Sequence, residues 1–258
     1  MNILVTNDDG IGAPGIYALA RAMREIGNVV VMAPLGEQSA VGHALTVSLP
    51  LRVTPYVKND EFLGYAVSGT PADSVKLALR TYLAEQGLPR PDIVVSGINH
   101  GRNTAVNIIY SGTVSAATEA TVLGVPAIAV SLTSYGPDPD FSAAAEFMRE
   151  FVPVVHEQGL PEGTLLNVNV PSIPLDEIEG FTFTRQGRSF WQDTFEKRLD
   201  PQQRPYYWLK GEYVLVDHES DIDDVAIRER KISITPLHYD LTDHDFLRRM
   251  SERWPNAL

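Results

Sequence analysis

The sequence contains no cysteine. Disulfide bridges, thiolate nucleophiles and cysteine-ligated zinc are thereby excluded. Cationic side chains are scarce beside anionic ones: 21 Lys and Arg stand against 33 Asp and Glu, a net charge of −12 over 258 residues. So acidic a chain lacks the basic footprint that holds a nucleic-acid backbone, and a nucleic-acid polymer is not expected as a partner. A small phosphorylated ligand is compatible with this charge if a local cation offsets the repulsion. No apolar run approaches the ~20 residues that cross a bilayer; the longest, such as GVPAIAVSL, have the length of strands. The first basic residue is Arg21 and carboxylates arrive at positions 8 and 9, which does not fit a signal peptide. A soluble, cytoplasmic protein without a membrane partner is expected. No internal repeat or low-complexity tract is present. Nor is there a G-x-S-x-G elbow, so a serine-hydrolase triad has no anchor.

What is present is an alternation of short β-branched runs and helical periodicity. NILVT (2–6) is followed by GIGAPGIYALARAMREIG, where Ile16, Leu19, Ala20 and Met23 recur at helical spacing, and then by NVVVMAP (28–34). Strand, helix and strand within about 33 residues make a βαβ unit. PDIVVSG (91–97) and VPAIAVSL (125–132) are further strands, preceded by helical stretches at 72–87 and 111–124. FSAAAEFMREFVPVVHEQG and TLLNVNVP add a fifth pair. The expected fold class is α/β: one domain over 1–258 with an open, mostly parallel, doubly wound sheet. Residues 45–68 alternate apolar and polar and read as a β-hairpin excursion. After about residue 175, charge and aromatics become dense without helical periodicity. An arm over about 180–258 that packs on a second subunit and an ordinary antiparallel edge are both compatible with this region. The acidic run DHESDIDD (217–224) reads as a solvated loop.

In an open parallel sheet, ligands bind beyond the carboxyl ends of the strands. The first strand runs into Asn7, Asp8, Asp9 and Gly10; the second into LGEQSAVGHALT with Ser39 and His43; the PDIVVSG strand into Asn99, His100, Arg102 and Asn103. Asp8 and Asp9 with the Ser39 hydroxyl and the Asn99 amide make an oxygen-donor set suited to Mg²⁺, Mn²⁺ or Ca²⁺. Two other readings stay open at this point: one Asp caps the following helix, or the pair shares a proton. Gly10, Gly12 and Gly15 satisfy G-x-G-x-x-G, but carboxylates in front of the first glycine and Pro14 behind it argue against a pyrophosphate. Ser111, Gly112 and Thr113 sit where a helix begins. There they either bind an anion with the first-turn N–H groups or simply cap the helix. In PLHYDLTDHDFLRR (236–249), Asp240 and His244 are four apart, and a helix is expected to start near Thr242 with Asp245 completing a capping box. His244 is then either a surface partner of Asp240 or a general acid. His43 and His100 are further acid candidates.

Taken in order, NDDGIGAPGI, APLGEQSAVGHALT, VSGTPADSVKLAL, PDIVVSGINHGRN, YSGTVSAATEA, GVPAIAVSL, LLNVNVP and SITPLHYDLTDHD closely resemble the SurE family, metal-dependent phosphatases of nucleoside monophosphates. The match spans about residues 1–248. The resemblance implies one divalent ion per subunit (Mg²⁺ or Mn²⁺, with Ca²⁺ also accommodated) held by Asp8, Asp9, Ser39 and Asn99. It implies a phosphate pocket lined by Asn99, Asn103, Ser111, Gly112 and Thr113, and hydrolysis of 5′- and 3′-nucleotides, with short polyphosphate in some members. A Rossmann-like core with a protruding hairpin, and an exchanged C-terminal arm that builds homodimers or homotetramers, belong to the same expectation. The chain departs from the family at Ala105 and Ala120, where Gly is usual, and at Asn107, where Asp is usual. The expected reaction is attack by a metal-activated water on a phosphomonoester, with His244 oriented by Asp240 as acid. Direct attack by an Asp is the weaker route, and a non-catalytic nucleotide-binding module is the competing class.

Overall fold

The computed structural model describes residues 1–253. The chain order is β1 (Asn2–Thr6), α1 (Pro14–Arg24), β2 (Asn28–Pro34), β3 (Val53–Lys58), β4 (Glu61–Val67), α2 (Pro71–Leu77), α3 (Leu83–Glu85), β5 (Ile93–His100), α4 (Asn107–Tyr110), α5 (Gly112–Val122), β6 (Ala127–Leu132), α6 (Ser142–Gln158), β7 (Thr164–Val170), β8 (Phe181–Phe183), β9 (Phe190–Leu199), β10 (Pro205–Val214), α7 (Asp223–Arg228), β11 (Ile232–His238) and α8 (His244–Arg253). One sheet carries nine strands in the order β3-β4-β2-β1-β5-β6-β7-β11-β8. From β4 to β7 every neighbouring pair is parallel. β3 is antiparallel to β4 and β11 to β7, and β8 pairs parallel with β11 at the far edge.

The central strands are apolar throughout because both faces of the sheet are covered. Ile3 and Val5 pack in a cluster with Leu19 and Met23 of α1 and Met148 and Val152 of α6. Leu4, between them in sequence, faces the opposite cluster with Val75 of α2 and Val114, Ala116, Ala117 and Ala120 of α5. The small residues of α5 let it lie close to the sheet, which sets its first turn beside the end of β1. No described helix is long and apolar enough to cross a membrane.

Two segments differ in placement from the sequence reading. Within 45–68 there is indeed a hairpin, but β3 and β4 extend the edge of the main sheet through the parallel pairing of β4 with β2. The separate hairpin lies further on: β9 and β10 form a two-stranded ribbon in continuous register from Phe190↔Val214 to Leu199↔Pro205. Phe195, Tyr207, Trp208 and Leu209 are exposed on it. A lone two-stranded hairpin is marginal in water, so its root must be held.

The acidic run holds it, and the expectation of a solvated loop is corrected here. Asp217, Asp223 and Asp224 are buried. Asp223 accepts backbone N–H groups from Ala105 (2.7 Å), Gly187 (3.0 Å) and Asp224 (2.8 Å). Asp224 accepts the Thr104 hydroxyl at 2.7 Å and the Tyr213 hydroxyl at 2.7 Å. Two side chains of one short segment thus tie the ribbon root to the loop after β5. Asp223→Ala removes the acceptor of three buried donors and should lower stability by about 3 kcal/mol. Glu219→Ala, in the exposed part of the same run, should leave the urea midpoint where it was. Equal midpoints for the two variants would mean the run is solvated after all.

Candidate metal and phosphate site

The carboxyl ends of β1, β2 and β5 converge as the parallel topology requires. Asn7 closes the turn after β1 by donating from Nδ2 to the Gly10 carbonyl at 2.9 Å. Gly10 adopts φ +93°, and a Cβ there would stand 2.9 Å from the Gly36 carbonyl carbon. The loop after β2 is therefore laid directly on this turn, and the Gln38 N–H donates to the Asp8 carbonyl at 2.8 Å. A cleft of about 220 Å³ results, lined by Asp8, Asp9, Ser39, Asn99, Asn103 and Ser111. These are six of the residues singled out in the sequence.

Neither Asp caps α1: Ala13 stands at its N-cap, without a side-chain bond. The Thr113 hydroxyl donates to Asp8 Oδ1, and the His100 N–H donates to Asp9 Oδ2 at 3.1 Å. Asp9 Oδ1 has no hydrogen bond among those found in the structure, and Asp8 Oδ2 lies against the first turn of α5. Asn99 spends its Nδ2 on the Gly101 carbonyl at 2.7 Å, which directs its amide oxygen away from that bond. Ser39 donates to Glu37 at 2.5 Å and keeps its lone pairs. Among the described residues no three His, Asp or Glu side chains gather around a point. A metal here would have to draw on the amide and the hydroxyl as well as the two acids. All four donors are hard oxygens, so the set fits Mg²⁺, Mn²⁺ or Ca²⁺ and not a soft ion.

The electrostatics point the same way. Burial pushes the Asp9 carboxyl up to about 7, with the Asp8 charge adding to the rise and the His100 N–H opposing it. Burial also raises Asp8, against the Thr113 hydroxyl and the Thr113 and Gly112 backbone groups. Without a cation the pair takes up a proton near neutral pH.

The three residues at the start of α5 separate in role. Ser111 caps the helix by accepting the Val114 N–H at 3.1 Å, which leaves its own proton free to donate into the cleft. A Cβ on Gly112 would stand 2.7 Å from the Asp8 Cβ, so glycine permits the close approach of helix and carboxylate. Thr113 is fully buried and orients Asp8. Asn103 is held from three sides: its N–H by Asn169, its Nδ2 by Ser131 and its carbonyl by Asn167 and Asn169.

Of the acid candidates, His100 lines the cleft, and the others lie elsewhere. His43 sits 2.8 Å from Glu119, a buried acid that Lys76 also contacts. Burial alone would raise Glu119, and the His43 and Lys76 bonds overcome it, so the carboxyl is held low. Asp240 and His244 bond each other at 2.7 Å on the exposed C-terminal segment and are not among the residues lining the cleft. Their helix starts at His244, with the Asp243 side chain accepting the Phe246 N–H at 2.8 Å, and not near Thr242. Of the family departures, Asn107 lines the cleft, Ala105 is buried at φ 50°, and Ala120 is core.

Sequence reasoning missed three lining residues, Tyr110, Tyr135 and Trp191, and named Arg102 without a role. The Arg102 guanidinium lies 3.6 Å from Asp224 and over the rings of Tyr213 (5.0 Å) and Tyr135 (5.9 Å). Its adjacency to Asn103 was the one available signal. Trp191 carried none, because it arrives from the distant ribbon.

A family model described as Survival protein SurE matches residues 3–193. A protein of Syntrophobacter fumaroxidans named 5′-nucleotidase SurE is 49% identical over 247 residues, 96% of this chain and 97% of that protein. One of Moorella thermoacetica with the same name is 48% identical over 260 residues, covering 99% and 98%. The crystal structure of a SurE protein from Aquifex aeolicus superposes with a TM-score of 0.83 at 40% identity, covering 98% and 99%.

A raised carboxyl pKa favours the folded state below the ordinary value of about 3.9 and loses that stability as pH rises through the raised value. With metal chelated, the melting temperature should fall between pH 5 and 8, through Asp9 near 7 and through Asp223, which burial raises to about 6. A divalent ion should recover more stability at pH 8 than at pH 5. Asp9→Asn should abolish the metal-dependent part and keep the rest; an unchanged metal response in that variant would remove Asp9 from the site.

Proposed function

The chain belongs to the SurE family, and from that premise we propose how its cleft works as a metal-dependent 5′-nucleotidase that hydrolyses nucleoside monophosphates. The observation that carries the assignment is a pair of adjacent carboxylates, Asp8 buried and Asp9 half-buried, with no cationic side chain paired to them among the described residues, in one cleft with a free hydroxyl at a helix N-terminus. Asp8, Asp9, Ser39 and Asn99 would hold the divalent ion, Mg²⁺ or Mn²⁺ by donor type. When bound, the ion polarises a phosphoryl oxygen and lowers the pKa of a coordinated water.

Every other role falls to the chain itself. Thr113 and the His100 N–H fix one oxygen of each carboxylate, so the remaining two keep their direction. Ser111 donates to a phosphate oxygen, and the first turn of α5 stabilises charge on the equatorial oxygens. Arg102, the guanidinium at the cleft, supplies the local cation that a chain of charge −12 needs in order to accept a dianion. An Asp8 or Asp9 already committed to a cation is a weak nucleophile, which favours water as the attacking group. The competing reading, a binding module without turnover, finds no support among relatives that carry an enzyme's name.

Phosphate release from a nucleoside monophosphate panel should be lost on chelation and restored by Mg²⁺ or Mn²⁺. Asp9→Asn should cut it at least ~100-fold with the fold intact; near-normal turnover would sink the metal assignment. The acid role of His244 requires α8 to reach a partner's cleft, because it does not line its own. Mixed Asp9→Asn and His244→Ala chains should then regain activity that neither has alone. A mixture as inactive as its parents would exclude an acid delivered across subunits.

A further inference from the structure

The cleft does not end at the phosphate loop. It opens into a second cavity of about 600 Å³, within the ~300–1,000 Å³ range of small-molecule sites. Ala40, Asn107, Tyr110 and Trp191 line both spaces. They are therefore one path, and its chemistry changes along the way. Carboxylates, amides and hydroxyls stand at one end; Tyr110, Trp191, Phe190, Val106 and Leu209 stand at the other. That gradient suits a ligand with an anionic head and a flat apolar tail.

We infer that Tyr110 and Trp191 form a stacking slot for the nucleobase of the substrate, with Asn107 at the neck beside the sugar. The inference rests on the nucleotidase reading and adds to it the part of the molecule that recognises the base. Both rings are held by elements that also build the phosphate end. Trp191 packs edge-on against Tyr213, centroids 5.4 Å apart at 63°, and the Tyr213 hydroxyl is bonded to buried Asp224. The Tyr110 carbonyl accepts the Gly42 N–H at 3.1 Å, and its chain neighbour is Ser111. Even so, Trp191 is 41% and Tyr110 58% exposed. Aromatic surface fixed in place yet left open beside a polar cleft is what a stacking platform requires. Polar readout of the base edge rests on few groups in this slot: Lys210 is engaged by Glu196, which leaves Asp193 and Asn107. Stacking tolerates every base because each has a π-face, so the slot selects for a base without strongly choosing among bases.

The test separates base from sugar phosphate. In Trp191→Ala, kcat/KM for AMP relative to ribose 5-phosphate should fall about 10-fold, the size of one lost base–aromatic stack. Trp191→Phe should keep most of the ratio. Adenosine should quench tryptophan fluorescence of the metal-free protein, and Trp191→Phe should lose that signal. An unchanged ratio in Trp191→Ala overturns the inference. So does an unchanged ratio accompanied by a smaller particle in sedimentation, which would make the slot a contact between copies of the chain. Absence of phosphate release from both substrates in the wild type would instead strike the nucleotidase reading, and the adenosine titration would still judge the slot.

Discussion

Two adjacent carboxylates, Asp8 buried and Asp9 half-buried, stand at the end of the first strand, and the rest of the site is arranged around that constraint. The same chain buries a second adjacent pair, Asp223 and Asp224, and the contrast is instructive. Asp223 accepts three backbone N–H groups, and Asp224 accepts two hydroxyls. Their hydrogen-bonding capacity is spent inside the protein, so that pair fastens the ribbon. Asp9 accepts one bond, Asp8 is met by the Thr113 hydroxyl and the first turn of α5, and both face a cleft. Repulsion between like charges this close disfavours double ionisation unless a cation or proton intervenes. Oxygens that open onto the cleft mark the pair at positions 8 and 9 as the one left to a ligand.

Fold and site are coupled through a few long-range acids. Glu119 on α5 draws in Lys76 from α2 and His43 from the loop that carries Ser39. Asp224 draws in Thr104, Tyr213 and, more loosely, Arg102. Each buried carboxylate satisfies its own desolvation demand and in doing so fixes a loop that has few apolar contacts of its own. Such loops are needed because a binding cleft at the ends of parallel strands is made of connecting segments, and packing alone does not hold them.

The alternation of strand and helix was legible in the sequence because the buried strands are uninterrupted apolar runs and α1 repeats its apolar residues every third or fourth position. The reading of 2–6 and 28–34 as strands coincides with β1 and β2. Asp8, Asp9, Ser39 and Asn99 were legible as neighbours because a parallel sheet gathers the residues that follow its strands. The acidic run 217–224 was misread for a physical reason: composition reports charge and not partners, and the group that takes up Asp224 lies 120 residues earlier, at Thr104. The ribbon escaped placement because both its faces are open, so neither the period-2 burial pattern nor a core partner marks it. Trp191 is an omission of the same class, since it reaches the cleft from the ribbon. Arg102 was named in its loop, and only its role was hidden, because the acid that positions it is distant in sequence.

Charge imposes the last condition on this site. At an effective dielectric of ~20 and a separation of ~5 Å, each pair of like unit charges costs about 3 kcal/mol. A phosphomonoester dianion beside ionised Asp8 and Asp9 meets several such terms, and Arg102 offsets only a fraction of them. Affinity for substrate and occupancy by a divalent cation are consequently not separate properties of this cleft. The arrangement that makes the carboxylate pair expensive to bury also keeps the cleft from holding phosphate until the charge is balanced.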